Sequence, residues 1–293
     1  MRRRLDGVLL LDKPVGPSSS AVLQAVKRLL EAERAGHAGT LDPLASGLLP
    51  LLFGEATKFA RYGLDASKEY VADVRLGAAT DTGDAEGQVL ERRAVEVDDK
   101  RLAQAMERFR GDITQVPPMY SAIKRDGQPL YALARAGQSV ERRPRQVRVH
   151  ELELIARNAD LLRLRIRCSK GTYVRQLAID LGLALGTVAH LEALRRTRVG
   201  AYRLEQAVSL DDLQSLDAGA RRAWLLPPDS LLADLPRLDL EEEQAGRFIS
   251  GQTLPLAAAV GACRVYRRQG GLLGVGEVRP GSGLRPVRLL ASG

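Results

Sequence analysis

Residues 161–186 read LLRLRIRCSKGTYVRQLAIDLGLALG. Leu162, Leu164, Ile166 and Cys168 alternate with Arg163, Arg165 and Arg167, which predicts a strand with one apolar and one basic face. Lys170-Gly171 turns the chain, and Thr172 is placed to cap a helix. The inner stripe of that helix is Val174, Leu177, Ala178, Leu181 and Leu185, and Gly186 ends it. Arg175 is out of place in the first turn. A cation near a helix N-terminus is unfavourable by roughly 0.3 kcal/mol or more, so an anion should hold it there. The alternative is a solvated arginine.

A second stretch, HAGTLDPLASG at residues 37–47, places a single acid before an apolar run. Asp42 can be a helix cap with Pro43 at the first helical position. It can equally be a nucleophile or base at the mouth of a cleft. Local spacing favours the cap, with a helix running from about Leu44 or Thr57.

Around these stretches, GVLLL at residues 7–11 reads as a short buried strand. DKPVGPSSS is a loop, and Ser19 or Ser20 can cap a helix with the stripe Val22, Val26, Leu29 and Leu30. EYVADVRLG is a strand with Tyr70, Ala72, Val74 and Leu76 on one face. TDTGDAEG at residues 80–87 carries three acids without the alternation of an EF-hand loop, so it reads as a surface loop or local cap. Residues 100–111 predict a helix ended by Gly111. The polar, arginine-rich run from Val116 to Val147 reads as an excursion from the core, with one helical piece, PLYALARAG. The Pro-punctuated stretch around residues 224–237 suits a boundary. Beyond it, one helix and three short strands make a small α+β module with a hairpin-built sheet.

The chain has 293 residues and a formal charge of +8, and only seven of its 44 basic residues are lysine. Arginine binds phosphate as a rigid fork, and the charge fits a polyanionic partner; compositional bias is the plain alternative. Cys168 and Cys263 lie far apart, so no disulfide framework is expected and a reducing cytoplasm is the default. No apolar run approaches a membrane span. The basic, apolar N-terminus breaks at Asp12-Lys13-Pro14, too early for a signal peptide.

Five stretches together carry a resemblance: GVLLLDKPVGPSSS, GHAGTLDPLASGLLPLLFGEATKF, KEYVADVRLGAATDTGDAEG, VPPMYSAIKRDGQPLYALARAG and CSKGTYVRQLAIDLG. In this order and spacing, the chain resembles the TruB family of tRNA pseudouridine synthases, which act on the uridine at position 55 of the T arm. The resemblance covers about residues 5–235. The C-terminal part is similar, more weakly, to a small PUA-like RNA-binding module. The resemblance implies an α+β pseudouridine synthase fold with a mixed, mostly antiparallel central sheet. It implies a catalytic domain over residues 1–235, an RNA-clamping insertion at 117–146, and the PUA-like module at 236–293. It also implies the roles of single residues. Asp42 falls on the catalytic aspartate, Arg175 on the arginine that pairs with it, and Tyr70 on the tyrosine that stacks on the target base. His37 falls on a residue of base flipping and substrate contact. Tyr173 and Leu194 line the uridine pocket, and Lys13-Pro14 supports the site. The implied partner is the tRNA T stem-loop, bound by a cytoplasmic monomer. No membrane, metal or cofactor is implied.

The chemistry is compatible with these residues. Isomerisation breaks the C1′–N1 bond, turns the uracil and joins C5 to C1′; C5 gives up its hydrogen and N1 gains one, so nothing is added or removed overall. A carboxylate can attack C1′, attack C6, or remove the C2′ proton, and the sequence leaves the three routes open. All need Asp42 ionised and close, and Arg175 beside it would orient it. Turning out a stacked base costs a few kcal/mol, of which Tyr70 could return roughly 1–3 kcal/mol by stacking. Arginine-rich surfaces at 142–148 and 195–203 are candidates for RNA-backbone contacts. Taken singly, Tyr70 and Leu194 read as core, His37 as a loop histidine, and Tyr173 as packing beside its helix. Two other function classes remain: a hydrolase with an aspartate nucleophile, which needs a second acid, and a non-catalytic RNA-binding protein, which does not need Asp42 with Arg175.

Overall fold

The computed structural model describes residues 3–119, 124–125, 128–129, 138, 140–256 and 259–290. Apart from Pro129, the helical piece PLYALARAG lies outside the described residues, as does much of the expected 117–146 insertion.

The principal strands are β1 (Gly7–Lys13), β2 (Ala35–His37), β3 (Ala45–Phe53), β4 (Lys68–Leu76), β5 (Gly111–Gln115), β6 (Arg145–Asn158), β7 (Leu161–Cys168) and β8 (Ala189–Val199). They form one sheet in the order β1–β3–β8–β4–β7–β6–β5, with β2 on the side of β3 and the two-residue strand Val208–Ser209 beyond β1. Among the described strands of this sheet, β3–β8 and the Val208–Ser209 edge are parallel and the other strand pairings are antiparallel. The sheet is therefore mixed and mostly antiparallel, as expected.

The two halves of this sheet differ in how their faces are covered. In β1, Leu9 and Leu11 pack on one face with Val22 and Val26 of helix α1 (Ser19–Leu29). Val8 and Leu10 pack on the other face with Leu48 and Leu52. Burial on both faces explains the unbroken apolar run GVLLL. In β4 and β7 the alternation holds instead. Ala72, Val74, Leu76, Leu162, Leu164, Ile166 and Cys168 are buried beneath Leu177, Ala178 and Leu181 of helix α3 (Val174–Ala184). The opposite face carries Arg163, Arg165 and Arg167, paired with Asp73, Glu153 and Glu151 on the neighbouring strands. These cross-strand pairs neutralise the basic face that the sequence predicts for β7.

Several local expectations are corrected. Asp42 and Pro43 do not start a helix: residues 45–53 form β3, and Asp42 sits in the loop that enters it. The run LLPLLF is held by strand partners on both sides, so tertiary pairing overrides the D-P helix signal. A 3₁₀ turn at Gly54–Phe59 and a short helix at Ala60–Asp65 follow the strand. Helix α1 is capped by Ser18, whose hydroxyl accepts the Ala21 N–H, rather than by Ser19 or Ser20. Helix α2 spans Asp99–Glu107, and Gly111 opens β5 instead of ending the helix. Thr172 does not cap α3: Tyr173 holds that position, and the Thr172 hydroxyl donates to the Ser169 carbonyl at 3.0 Å.

Residues 237–289 build a separate four-stranded sheet from β9 (Arg237–Leu240), β10 (Gly261–Arg267), β11 (Leu272–Arg279) and β12 (Gly283–Leu289). Helix α4 (Glu242–Ile249) covers it through Ala245 and Phe248, and acids open that helix as expected. The β10–β11–β12 part is hairpin-built, while β9 pairs parallel with β10, a fourth strand the sequence reading left out. Phe59, Leu232 and Val275 form the seam against the larger body.

Candidate active site

The parallel contact between β3 and β8, with β4 antiparallel on the other side of β8, fixes the floor of the site. Leu194 of β8 lies opposite Ala45 of β3 and Ala72 of β4. Arg196 lies opposite Gly47 and Tyr70. Leu194 and Tyr70 are part-buried at the edge of the main core. A bulge at Thr197 interrupts β8 immediately after Arg196, the kind of irregularity that re-aims side chains beside a site.

Asp42 projects from the loop between β2 and β3, with 51% of its side chain exposed. Arg175, in the first turn of α3, is 6% exposed and donates from Nη2 to Asp42 Oδ2. Its Nη1 donates to the Thr82 carbonyl at 3.1 Å, and its Nε lies 3.2 Å from Asp84 Oδ2. Asp84 is itself buried, at 5% side-chain exposure, and its Oδ1 accepts from the Thr82 hydroxyl at 2.6 Å and the Glu86 N–H at 3.2 Å. A buried guanidinium is thus held between one buried and one open carboxylate. This resolves the poor helix position of Arg175, since two anions offset the unfavourable end of the helix dipole. Asp84 is the residue that sequence reading misses. TDTGDAEG reads as a surface loop, yet it folds under α3 because Gly83 adopts φ +74°. A Cβ on Gly83 would meet Ile179 at 2.7 Å.

The loop that carries Asp42 is fixed at several points. The Ser19 hydroxyl donates to the Leu41 carbonyl at 2.9 Å and accepts the Leu41 N–H at 2.8 Å. The Gly16 N–H donates to the Pro43 carbonyl at 2.9 Å. Lys13, fully buried, donates from Nζ to the carbonyls of Ala45 at 2.7 Å and Pro14 at 2.8 Å. Ser19→Ala would strip both main-chain groups of the buried Leu41 of their partner. An unsatisfied buried group costs about 1–3 kcal/mol. Urea unfolding of Ser19→Ala should show a loss in that range, and an unchanged midpoint would mean the clamp is idle.

Burial brings the Lys13 ammonium down to about 8, with Asp42 and Glu86 pulling the other way. The unfolded chain keeps this proton up to about 10.5. Between those values the unfolded state binds more protons, so the Lys13 contribution to stability rises with pH there. The stability difference between wild type and Lys13→Met should therefore shift in favour of wild type from pH 8 to pH 10, and be flat between pH 6 and pH 7.5. A difference that is flat throughout would show that Lys13 is not desolvated.

His37 ends β2, with Leu51 as its partner across the strands, rather than lying in a loop. Burial, and then the Arg196 charge, push its imidazole below the usual histidine value, and its buried Nδ1 has no partner among the described residues. Tyr173 precedes α3, and its main-chain N–H and carbonyl are both taken by the Gln115 side chain, at 3.1 and 3.3 Å. The Arg145 guanidinium lies 5.9 Å from the centre of the Tyr173 ring. Of the arginine surfaces expected at 142–148 and 195–203, one member is misassigned: Arg196 is buried, not superficial. Arg195 is paired with Asp12 and Arg148 with Asp112.

Asp42, Arg175, Lys13, Tyr70 and Leu194 are tied to the β3–β8–β4 floor or to the loop that enters it. Asp42 and Arg175 touch, Lys13 holds the loop between them and β3, and Tyr70 and Leu194 lie on adjacent strands. An open carboxylate fixed by a buried guanidinium can act as nucleophile or base on a substrate laid over β4 and β8.

Known proteins are similar to this chain along nearly its whole length. Residues 27–174 match the family described as TruB family pseudouridylate synthase (N terminal domain). Residues 175–233 match the tRNA pseudouridylate synthase B C-terminal domain, and 236–290 match Pseudouridine synthase II TruB, C-terminal. The tRNA pseudouridine synthase B of Aromatoleum aromaticum is 53% identical over 99% of this chain and 94% of its own length. That of Burkholderia lata is 59% identical over 88% of this chain and 80% of its own. The solved structure of a Cbf5–Nop10–Gar1 complex superposes with a TM-score of 0.74 at 28% identity, covering 98% of this chain and 84% of that one. An H/ACA RNP bound to a substrate RNA containing 2′-deoxyuridine superposes with a TM-score of 0.73 at 26% identity, covering 97% and 84%. With its fold, its paired domains and more than half of its residues shared along nearly the whole length, the chain belongs to the TruB family of pseudouridylate synthases.

Proposed function

We propose that this enzyme isomerises a uridine in the T arm of tRNA, at position 55, to pseudouridine. The observation that carries the reading is the open Asp42 carboxylate, held by the buried Arg175 on a clamped loop that enters β3, in the same sheet as Leu194 and Tyr70. The tRNA substrate is supported by the names of the relatives and by the basic charge of the chain.

In this reading the target uridine leaves its stack and its base lies on Tyr70, with Leu194 and Tyr173 beside it and His37 contacting the RNA. Asp42 attacks C1′ or C6, or takes the C2′ proton, and Arg175 fixes the oxygen that acts. No step calls for a redox group or a metal. Asp84 lies beneath Arg175 rather than in the cleft, so it does not supply the proton donor of a glycoside hydrolase. We divide the chain near residue 235 into the catalytic body and a PUA-like module that adds RNA contact, and we take the enzyme to act as a cytoplasmic monomer. Among the described residues no helix is long and apolar enough to cross a membrane.

The substrate assignment is tested by incubating the enzyme with full tRNA transcripts and with isolated T-arm and anticodon-arm stem-loops, then mapping pseudouridine by chemical blocking of primer extension. The T-loop uridine should be the modified position in the transcript and in the T-arm fragment. Modification in the anticodon arm, with none in the T arm, would overturn the assignment.

A further inference from the structure

Arg196 is a buried cation with an unusual set of partners. Its residue is 1% exposed. Its Nε donates to the Leu48 carbonyl at 2.7 Å and its Nη2 to the Gly39 carbonyl at 3.0 Å, while Nη1 points to the Thr40 carbonyl at 3.5 Å. Across the strands, Tyr70 of β4 is the register partner of Arg196. No carboxylate is among these partners. Burying a charge without a counter-ion is costly, and it persists only where the geometry returns something for it.

The partners show what that is. Gly39 and Thr40 stand on the entry side of the Asp42 loop, and Leu48 stands on its exit side in β3. One planar guanidinium therefore closes the loop across its base. The residue that carries it faces Tyr70 directly across the β8–β4 pairing. Close packing enforces the arrangement, because a Cβ on Gly47, at φ +100°, would lie 2.3 Å from the Arg196 carbonyl oxygen. A lysine would present one compact ammonium in place of a fork and could not span both sides of the loop at once.

We propose that Arg196 is a positioning residue that sets the spacing between the Asp42 loop and the Tyr70 ring. The inference rests on the proposed roles of Asp42 and Tyr70. Arg196 does not touch substrate; it acts through these two groups. A misplacement of about 1 Å at a reacting group can cost about 100-fold in rate.

The test is a double-mutant cycle between Arg196→Lys and Tyr70→Phe, read by single-turnover rate and by RNA affinity on a T-arm stem-loop, with circular dichroism and melting recorded for each variant. Arg196→Lys should lower the single-turnover rate by roughly 10- to 100-fold and leave the RNA Kd within about threefold. Tyr70→Phe removes only the hydroxyl and should also slow turnover with the ring still in place. In the Arg196→Lys background its effect should shrink, because the two residues face each other across β8 and β4 and the first change already displaces the ring. A folded Arg196→Lys protein with wild-type turnover would overturn the proposal, as would fully independent effects. If Arg196→Lys fails to fold, Arg196→Gln replaces it in the cycle, and wild-type turnover by a folded Arg196→Gln protein would overturn the proposal. An inactive Asp42→Asn beside a fully active Arg196→Lys would reject this inference and leave the proposed function standing. Inactive wild type would reject the function itself.

Discussion

Arg175→Ala is expected to give a protein that is both less stable and nearly inactive. The substitution removes the counter-charge of Asp84, which is 5% exposed and has no outlet to water. Breaking a buried pair by deleting one partner costs about 3–5 kcal/mol, because the other charge stays behind. It also frees the carboxylate of Asp42, which loses the group that aims it. Urea unfolding should report the first effect and single-turnover rates the second, with a loss of at least about 100-fold from misplacement alone. Arg175→Ala/Asp84→Asn should recover part of the stability but none of the activity. Arg175→Lys should not restore the rate, since an ammonium cannot reach Thr82, Asp84 and Asp42 together. A wild-type rate in Arg175→Ala would remove this residue from the site.

Asp42→Asn is expected to behave in the opposite way: normal fold, normal RNA affinity, no turnover. Half of the Asp42 side chain is exposed, and the loop is held by main-chain contacts to Ser19, Gly16 and Lys13 that the change does not touch. Arg175 keeps Asp84 and Thr82 as partners. Stability should therefore move by less than about 1 kcal/mol. The amide can still accept from Arg175 but can neither form a bond to the sugar or base nor take up a proton. Loss of the nucleophile or base should lower turnover by at least about 1000-fold. Filter binding to the stem-loop, measured beside turnover, separates this outcome from a general loss of function.

Much of this architecture is legible in the sequence, for identifiable reasons. β4 and β7 alternate cleanly because one of their faces is covered and the other carries ion pairs. The stripe of α3 is legible because it packs on that covered face. β3 is misread because a doubly covered strand has no period, and Asp42-Pro43 imitates a helix start. Arg175 betrays itself by standing in the wrong turn of a helix, and its partner Asp42 by standing alone. Asp84 gives no such signal: its neighbours Asp81 and Glu86 make the loop look solvated, and only the fold shows which acid turns inward. Arg196 is hidden in the same way, among arginines at 195, 196 and 198 that read as one basic surface. Ser19 is hidden within a run of three serines, where the nearest reading is a cap and the clamp on Leu41 depends on a residue 22 positions away.

The most direct measurement is tritium release from a T-arm stem-loop carrying uridine labelled at C5, with wild type and Asp42→Asn side by side. Forming the C5–C1′ bond must expel the hydrogen at C5, so release reports isomerisation itself and not binding. Release by wild type, and none by an Asp42→Asn protein that still binds the RNA, is the predicted result. Release by Asp42→Asn at the wild-type rate would contradict the account and return Asp42 to a structural role in its loop.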